Sequence, residues 1–210
     1  MSASQKVWLV ASQKGGVCKT TIATALARHL SLEAGKPRVL LCDVDFQQHS
    51  TMGWYELRGK LPLGVTIKRC SKASDVGRWA ASEAFDHVVI DGAPHASRQT
   101  FELAQASDVV ILPTWTGALS LGPTIQLANE LADGGVPRES IIFTIVCAGS
   151  DAEIASATET IVDYGFRVSP VANRFSTAYG KALDKGLTII ESEFQSLRDE
   201  ARKFIAALTK

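Results

Sequence analysis

Short apolar runs alternate with amphipathic segments along the 210 residues of this chain. The runs are rich in Val, Ile and Leu and show little alternation of apolar and polar positions, which is typical of parallel strands buried on both faces of a sheet. The segments between them repeat apolar residues at helical spacing. The predicted strands are 7–11, 38–43, 65–70, 87–91, 108–113, 141–147 and 167–171. The predicted helices lie near 20–34, 72–84, 98–106, 117–133, 151–164 and 190–208.

This alternation predicts an α/β fold, namely a doubly wound, mostly parallel sheet with helices on both faces. The chain contains no internal repeat and no low-complexity linker, so residues 1–210 are expected to form a single domain. Ligands in such sheets bind at the carboxyl ends of the strands. Polar side chains that follow the predicted strands are therefore the first candidates for a functional site.

Composition narrows the classes of function. The chain is 46% hydrophobic and 21% charged, as expected for a globular protein with a real core. Its formal net charge is zero, so any contact with nucleic acid needs a local basic patch. The four cysteines form no C-x-x-C pair, which argues against a zinc ribbon, an iron–sulfur cluster or a thioredoxin-type site. The chain has no signal-peptide pattern and no apolar run of transmembrane length, so a cytoplasmic location is expected.

The most informative segment is 12–21, Ser-Gln-Lys-Gly-Gly-Val-Cys-Lys-Thr-Thr, between the first predicted strand and the first predicted helix. A strand, a glycine-containing loop and a helix N-terminus follow the order of a phosphate-binding loop, because backbone N–H groups there face an anion. Lys19 is expected to reach the β- and γ-phosphates of a nucleotide, and the Thr20 hydroxyl to ligate Mg²⁺. The standard loop has glycine where this chain has Gln13 and Cys18.

What fits instead is Lys-Gly-Gly-x-x-Lys-Thr, with a second lysine, Lys14, near the start of the loop. This pattern resembles the deviant Walker A motif of the ParA/MinD family of ATPases, a P-loop NTPase fold. The resemblance implies ATP or ADP and Mg²⁺ as cofactors. It also implies a nucleotide-sandwich homodimer in which Lys14 contacts the phosphates of the ATP bound by the other subunit, so that Lys14 and Lys19 act in catalysis. The nucleotide-binding residues that it implies in this loop are Lys14, Gly15, Gly16, Val17, Cys18, Lys19, Thr20 and Thr21.

An acidic motif follows the second predicted strand. The sequence Asp43-Val44-Asp45-Phe46-Gln47 is similar to the Asp-x-Asp-Pro-Gln of the family, with Phe46 in place of proline. By this resemblance, Asp45 orients or activates the attacking water, and Asp43 supports the loop and the metal shell. The alternative reading is a surface turn after a strand.

A second acidic position closes the fourth predicted strand. Asp91 follows four apolar residues, a common arrangement for holding Mg²⁺, and it resembles the Walker B aspartate of the family. Asp91 therefore joins Thr20 and Asp43 as a predicted metal residue. Residues 92–95 are expected to form the switch segment that senses the γ-phosphate. His95 either contacts the site or is a solvated loop histidine.

The C-terminal third carries weaker signals. Residues 170–181 resemble the family segment that packs near adenine, which makes Pro170 and Asn173 candidate cofactor-binding residues. The family often has asparagine after the sixth strand, a region that reads Cys-Ala-Gly-Ser-Asp at 147–151 in this chain. Trp115 is equally compatible with a dimer-interface anchor and a partly buried core residue. A group of basic residues forms either a DNA-contacting surface or an ordinary solvated face: Arg174, Lys181, Lys185, Arg198, Arg202 and Lys203.

The resemblance is strongest to the small ParA partition ATPases that lack an N-terminal helix-turn-helix domain. It implies an ATP-dependent homodimer that binds double-stranded DNA without sequence preference and associates with the nucleoid. A ParB-like or other adaptor would stimulate slow hydrolysis, and the cargo would be a plasmid, a chromosome region or a protein assembly. Two alternatives remain: a MinD-like membrane switch, disfavoured by mixed charges on the polar face of 194–208, and a metabolic ATPase on the same fold.

Cys18 is the unusual residue of the loop. If its backbone has φ > 0, its Cβ costs about 1–2 kcal/mol and crowds the phosphate, which predicts weaker nucleotide binding than a glycine would allow. A thiol beside Lys19 and a helix N-terminus is also expected to have a lowered pKa and to oxidise readily.

Overall fold

A single parallel sheet organises the chain. The computed structural model describes residues 5–45, 50–82, 84–94 and 97–210. The strands are β1 (Lys6–Ser12), β2 (Val39–Asp43), β3 (Val65–Arg69), β4 (His87–Pro94), β5 (Val109–Thr114), β6 (Ile141–Ile145) and β7 (Arg167–Val168). They form a seven-stranded sheet in the order β3-β2-β4-β1-β5-β6-β7, and every pairing is parallel. The predicted doubly wound α/β architecture is confirmed.

The helices are α1 (Lys19–Leu30), α2 (Ser50–Arg58), α3 (Ala73–Ser82), α4 (Arg98–Gln105), α5 (Ala118–Asp133), α6 (Asp151–Asp163), α7 (Thr177–Asp184) and α8 (Gln195–Ala207). Sequence periodicity misses α2 and α7. The reason is that α2 buries Thr51, Trp54 and Arg58, only one of which is apolar, and that α7 is short and buries only Tyr179 and Ala182. None of the helices in the described ranges combines the length and apolarity needed to cross a bilayer.

Helices cover both faces of the sheet, and each face has its own core. On one face, Leu26 of α1 and Phe204 of α8 are buried together. On the other face, Leu127 of α5 and Ile161 of α6 are buried with the facing strand residues. Because the strands are covered on both sides, their side chains are apolar in both directions, which explains the runs without alternation.

Strand β4 continues past Asp91, where the apolar run ends, as far as Pro94, which pairs with Ser12 of β1. Gly92 makes this extension possible. A Cβ at that position would lie 2.6 Å from the carbonyl oxygen of Val10, so only glycine lets the two backbones run this close. Residues 92–94 are therefore strand rather than loop, and they bring the end of β4 against the start of the phosphate loop.

Two cysteines at the carboxyl edge of the sheet have left-handed backbones. Cys18, just before α1, has φ 63°, and Cys147, two residues after β6, has φ 55°. Cys18 therefore has the positive φ at which a side chain is strained. A non-glycine residue in this conformation carries a Cβ penalty of about 1–2 kcal/mol. Cys147 also explains why β6 stops at Ile145 rather than at residue 147 as predicted, since a left-handed residue cannot continue a strand.

The left-handed backbone at Cys18 predicts an order of stability among variants. Cys18→Gly should exceed Cys18→Ala by about 1 kcal/mol in free energy of unfolding, because glycine adopts this conformation without a Cβ penalty. Urea denaturation of both variants measures the difference. Ala155→Gly, on the exposed side of α6, is the control and should lose about 1 kcal/mol. Equal stability of the two Cys18 variants would contradict the left-handed assignment.

A buried ion-pair cluster joins the C-terminal part of the chain to α2. Arg58 is 3% exposed, and its guanidinium donates to both carboxylate oxygens of Glu191 at 2.9 and 2.8 Å. Arg28 of α1 adds a bond of 3.1 Å to the same carboxylate. Burial alone would raise the pKa of Glu191, but hydrogen bonds from Arg58 and Thr188 outweigh it and hold the pKa at about 2. The cluster therefore stabilises the fold only while Glu191 is ionised.

Glu191→Gln should lower the free energy of unfolding at pH 7 by about 2 kcal/mol, allowing for partial solvent screening. The folded pKa lies below the unfolded one, so this stabilisation is present above pH 4.5 and is lost as pH falls towards 2. The gap between wild type and variant should narrow by about 1 kcal/mol between pH 7 and about 3.5, measured by urea denaturation. Glu193→Gln, at an exposed ion pair with Lys185, is the control and should show little change. A gap that stays constant with pH would contradict the cluster.

Candidate nucleotide-binding site

The predicted phosphate loop connects β1 to α1 at the carboxyl edge of the sheet. Val17 is 4% exposed and anchors the loop in the core, while Gly15 and Gly16 are exposed. Helix α1 begins at Lys19, and its N-cap, Cys18, makes no side-chain capping bond. The Cys18 side chain therefore leaves the first-turn N–H groups of α1 uncapped. Uncapped N–H groups at a helix start can bind an anion.

Lys19 lies inside the loop. Its ammonium group donates to the Ser12 hydroxyl at 3.1 Å and lies 3.5 Å from the Lys14 carbonyl oxygen, and the residue is 8% exposed. Burial lowers the pKa of Lys19, although the charges of Asp91 and Asp45 oppose this shift. The structure thus brings Lys19 together with two of the predicted acidic residues. Ser12 was missed by sequence reasoning, although its place as the last residue of β1 marks it as a loop contact.

Asp91 lies at the centre of the acidic group. One of its oxygens, Oδ2, accepts hydrogen bonds of 2.7 Å from the hydroxyls of Thr20 and of Thr51. The other oxygen, Oδ1, is buried and has no hydrogen-bond partner in the described part of the chain. Burial raises the pKa of Asp91 to about 6; the hydrogen bonds from Thr20 and Thr51 lower it, and the nearby Asp43 charge raises it. Thr51 was missed by sequence reasoning because α2 was not predicted.

Asp43 and Asp45 occupy the edge next to Asp91. Asp43 is the register partner of Asp91 on the neighbouring strand. Its carboxylate accepts the backbone N–H groups of Asp45 and Met52, each at 3.1 Å, so it fixes the turn after β2. Asp45 is 7% exposed. Gln47 and His95, two other positions considered from the sequence, lie outside the described residues.

No three side chains of His, Cys, Asp or Glu type converge on a metal position in the ranges that the structure describes. The predicted metal residues Thr20, Asp43 and Asp91 nevertheless lie together. Mg²⁺ sites in nucleotide-binding proteins commonly use only one or two carboxylates, with waters and phosphate oxygens completing the shell. The buried, unpartnered Oδ1 of Asp91 beside the Thr20 hydroxyl fits such a shell.

The two lysines of the loop point in different directions. Lys14 is exposed, and its ammonium group donates to the carbonyl oxygen of Leu119 in the first turn of α5. The neighbouring surface is apolar, since Leu119 is 84% exposed and Trp115 is 45% exposed. Trp115 is therefore not a buried core residue within this chain.

A cavity of about 190 Å³ opens beside the loop. Its lining includes Cys18, Thr21, Cys147 and Asn173, so it joins the start of α1 to the end of β6. The Asn173 backbone N–H donates to the Ile145 carbonyl at 2.9 Å, which holds the C-terminal segment against β6. Pro170, the other predicted cofactor-binding residue of this segment, is exposed and does not belong to this lining.

The sulfurs of Cys18 and Cys147 lie 3.9 Å apart. The hydrogen bond between them, together with burial, raises the pKa of Cys18. The same hydrogen bond lowers the pKa of Cys147 to about 7. The prediction of a lowered pKa at Cys18 is therefore wrong, because the hydrogen bond with Cys147 and burial both raise that pKa. Cys147 was missed as a reactive position because the contact joins residues 129 positions apart.

Several side chains of the predicted basic group are bonded within the chain. Arg174 is paired with Asp151, and Lys185 with Glu193. Arg198 donates to the Ser192 carbonyl oxygen. The members that lie exposed on α7 and α8 without a described ion pair are Lys181, Arg202 and Lys203.

Comparison with known proteins agrees with this geometry. Residues 5–69, which span the loop, β2 and β3, match the family AAA_31, described as an AAA domain. The chain is 28% identical over 199 residues to the maintenance of carboxysome distribution protein A of Gloeobacter kilaueensis, covering 94% of this chain and 90% of that protein. It is 30% identical over 168 residues to the chromosome-partitioning ATPase Soj of Thermus thermophilus, covering 65% of this chain and 67% of Soj.

A solved structure of another protein has a similar fold. The septum site-determining protein MinD of Pyrococcus horikoshii, solved with Mg-ADP, superposes with a TM-score of 0.72 at 18% identity, over 96% of this chain and 94% of that chain. The same family is indicated by three features: the loop with its two lysines, the parallel sheet and the match to Soj. The chain belongs to the ParA/MinD superfamily of P-loop ATPases.

Proposed function

We propose that this protein binds and hydrolyses ATP with Mg²⁺ and uses the cycle to switch between a monomer and a DNA-binding dimer that positions a cargo. The observation that carries the proposal is the juxtaposition of buried Lys19, the Thr20 hydroxyl and the half-satisfied carboxylate of Asp91 in β4. A buried cation, a hydroxyl and a carboxylate around one loop are the groups that bind a nucleoside triphosphate and its metal ion.

Phosphate binding would fall to the loop and to Lys19. Among the described residues, the buried ammonium group is bonded to the neutral oxygens of Ser12 and Lys14, at 3.1 and 3.5 Å. Phosphate oxygens would replace these neutral acceptors with charged ones, which strengthens the hydrogen bonds about twofold. The loop N–H groups of Gly15 to Thr21 would complete the cradle.

Mg²⁺ would be held by Thr20 and by Asp91, with Asp43 behind them. When bound, Mg²⁺ neutralises charge that develops on the β- and γ-phosphates. The unpartnered Oδ1 of Asp91 supports this assignment, because a buried carboxylate oxygen without a partner is costly unless a cation or water completes it. Thr51 would keep the carboxylate oriented through its bond to Oδ2.

The adenine base would enter the cavity lined by Cys18, Thr21, Cys147 and Asn173. Its walls are mainly apolar and it adjoins the loop, which suits a planar base whose phosphates occupy the loop. Asn173 supplies an amide that can donate to and accept from a base edge. Pro170, which is exposed outside this cavity, would contribute less.

Hydrolysis would use Asp45 to orient water. Asp45 follows directly after the turn that Asp43 fixes, and it lies close enough to Lys19 to influence the pKa of that residue. A carboxylate at this position can accept a hydrogen bond from the attacking water and so orient it.

Dimer formation would use the surface around Lys14. Lys14, Trp115 and Leu119 are exposed together on one side of the loop, and exposed aromatic residues such as Trp115 are enriched at protein interfaces. In the dimer, Lys14 would leave the Leu119 carbonyl and contact the ATP bound by the second subunit. The match to a chromosome-partitioning ATPase supports this cycle.

DNA contact would use exposed basic side chains of α7 and α8, chiefly Lys181, Arg202 and Lys203. Contacts of this kind bind phosphates and carry no sequence preference, and they would place the dimer on the nucleoid. An adaptor, ParB-like or otherwise, would stimulate hydrolysis. The two relatives are named for carboxysome distribution and chromosome partitioning, which supports a protein assembly or a chromosome region as cargo, with a plasmid as the third option.

The membrane alternative requires a free amphipathic helix at the C-terminus. In α8, Ala201, Phe204 and Ile205 are at most 1% exposed, because they pack in the core against α1. The apolar face is therefore occupied within the chain, which favours the DNA-binding reading. For the metabolic alternative, no observation in the described site points to a second substrate.

Substitution of Lys19 and of Lys14 should have different effects on ATP binding and on dimer formation. Lys19→Ala should weaken ATP binding about 100-fold or more, because a buried contact to phosphate worth about 3 kcal/mol is lost. Lys14→Ala should keep ATP binding within about threefold, because the side chain is exposed, yet lose the ATP-dependent dimer. Calorimetry measures binding, and light scattering on a sizing column measures mass. Lys60→Ala, at an exposed turn after α2, is the control for both assays. Loss of binding in Lys14→Ala would contradict the assigned roles.

DNA binding should depend on nucleotide and on salt. Fluorescence anisotropy with a labelled nonspecific duplex should show binding with ATP and little with ADP or without nucleotide. Affinity should fall steeply with salt, and Lys203→Ala should reduce the slope of log K against log salt by about 1 per contact. Lys60→Ala should leave the slope unchanged. Absence of binding in every nucleotide state would contradict the DNA part of the proposal, and sedimentation with anionic liposomes would then test the membrane alternative.

A further inference from the structure

Two free cysteines meet across the nucleotide cleft. Cys18 ends the phosphate loop and Cys147 follows β6, yet their sulfurs are 3.9 Å apart, which is close to van der Waals contact. Both residues have left-handed backbones, at φ 63° and φ 55°, so the chain bears strain at both positions while directing the two side chains at each other.

The pair is accessible to small molecules. Cys18 and Cys147 are both partly exposed, and both line the cavity of about 190 Å³, whose rim includes the 70% exposed Phe175. The other two cysteines, Cys42 and Cys70, are 0% exposed. The chain therefore holds one reachable thiol pair and two fully buried thiols that serve as an internal comparison.

We infer that Cys18 and Cys147 are a reversible modification site that forms a disulfide in the presence of a low-molecular-weight disulfide and so closes the nucleotide cleft. The effect on nucleotide rests on the proposed function, whereas formation of the disulfide does not. In a reducing compartment permanent structural disulfides are rare, and those that form are usually transient and regulatory.

The chemistry needs only the two thiols and the small disulfide. The Cys147 thiolate attacks one sulfur of that disulfide, which forms a mixed disulfide and expels one small thiolate. Cys18 then loses its proton and attacks the Cys147 sulfur, which forms the Cys18–Cys147 bond and expels the second small thiol. Two protein thiols are thereby oxidised and one small disulfide is reduced to two thiols. An excess of small thiol reverses both steps.

Cys147 is the first nucleophile in this sequence. The hydrogen bond with Cys18 lowers the pKa of Cys147 to about 7, which favours its thiolate near neutral pH. The cavity gives that thiolate its access, and Cys18 is placed to resolve the mixed disulfide from 3.9 Å away.

Closing the bond would deform the loop. The sulfurs must approach from 3.9 Å to about 2.0 Å, and Cys18 immediately precedes Lys19 and Thr20. The bond would also cross the cavity proposed for the base. Both effects act against nucleotide, so we expect the oxidised protein to bind ATP at least about tenfold more weakly than the reduced protein.

The first arm of the test detects the bond. Reduced full-length protein is incubated with glutathione disulfide at pH 7.5, blocked with N-ethylmaleimide and mapped by mass spectrometry without reduction. The expected product is a Cys18–Cys147 linked peptide, with Cys42 and Cys70 unmodified until the protein is denatured. Cys147→Ser should give no link, and reduction of oxidised wild type with dithiothreitol should restore both thiols, which requires no variant. A mixed disulfide that never resolves, or a link to Cys42 or Cys70, would overturn the inference.

The second arm measures ATP binding by calorimetry before oxidation, after oxidation and after reduction. The expected result is a reversible loss in wild type and no response to oxidant in Cys147→Ser, whatever the starting affinity of that variant. An undiminished affinity in the linked protein would overturn the closing of the cleft. If the reduced protein does not bind ATP while the link forms, the proposed function fails and the modification site stands. If the reduced protein binds ATP and no link forms, the modification site fails and the proposed function stands.

Discussion

The buried carboxylate of Asp91 is the contact on which the arrangement of the site depends. It ties β4 to α1 through Thr20 and to α2 through Thr51, both at 2.7 Å. Asp43 lies in register beside it, so two carboxylates of like charge share one buried edge. Such a pair is unfavourable unless it is hydrogen-bonded or neutralised. Hydrogen bonds from the Thr20 and Thr51 hydroxyls stabilise the Asp91 carboxylate. These bonds thereby fix the position of α1 and its loop relative to β4.

The extended course of β4 supports that contact. Gly92 lets β4 lie against Val10 of β1, where any side chain would strike the backbone. The loop that leaves β1 is therefore held beside Asp91 by the sheet itself and needs no tertiary closure to assemble. This is why the site geometry is present in the chain alone, in contrast to the surface around Lys14, which is completed only when a second molecule covers it in the proposed dimer.

Much of this could be predicted from sequence, for identifiable physical reasons. Strands covered on both faces are apolar throughout, so β1, β2, β4, β5 and β6 stand out as runs. The loop follows β1, and Asp43 and Asp91 lie where the apolar runs of β2 and β4 end, so local sequence is sufficient to locate these positions. Helix α2 was not found because it buries Arg58 and Thr51, whose roles come from distant partners such as Glu191 and Asp91. The same reason hides the pairing of Cys18 with Cys147, which only the sheet order brings together.

The contact between Lys14 and the Leu119 carbonyl has a kinetic consequence. For the proposed dimer, each subunit must break this internal bond before its lysine can extend to the other, so only a fraction of the chains is competent to assemble at any instant. Because both molecules of an encounter must be competent together, the rate of assembly scales with the square of that fraction. A modest strengthening of one exposed lysine–carbonyl contact is thus amplified into a slower onset of assembly, without any change in how tightly the separate chains hold their nucleotide.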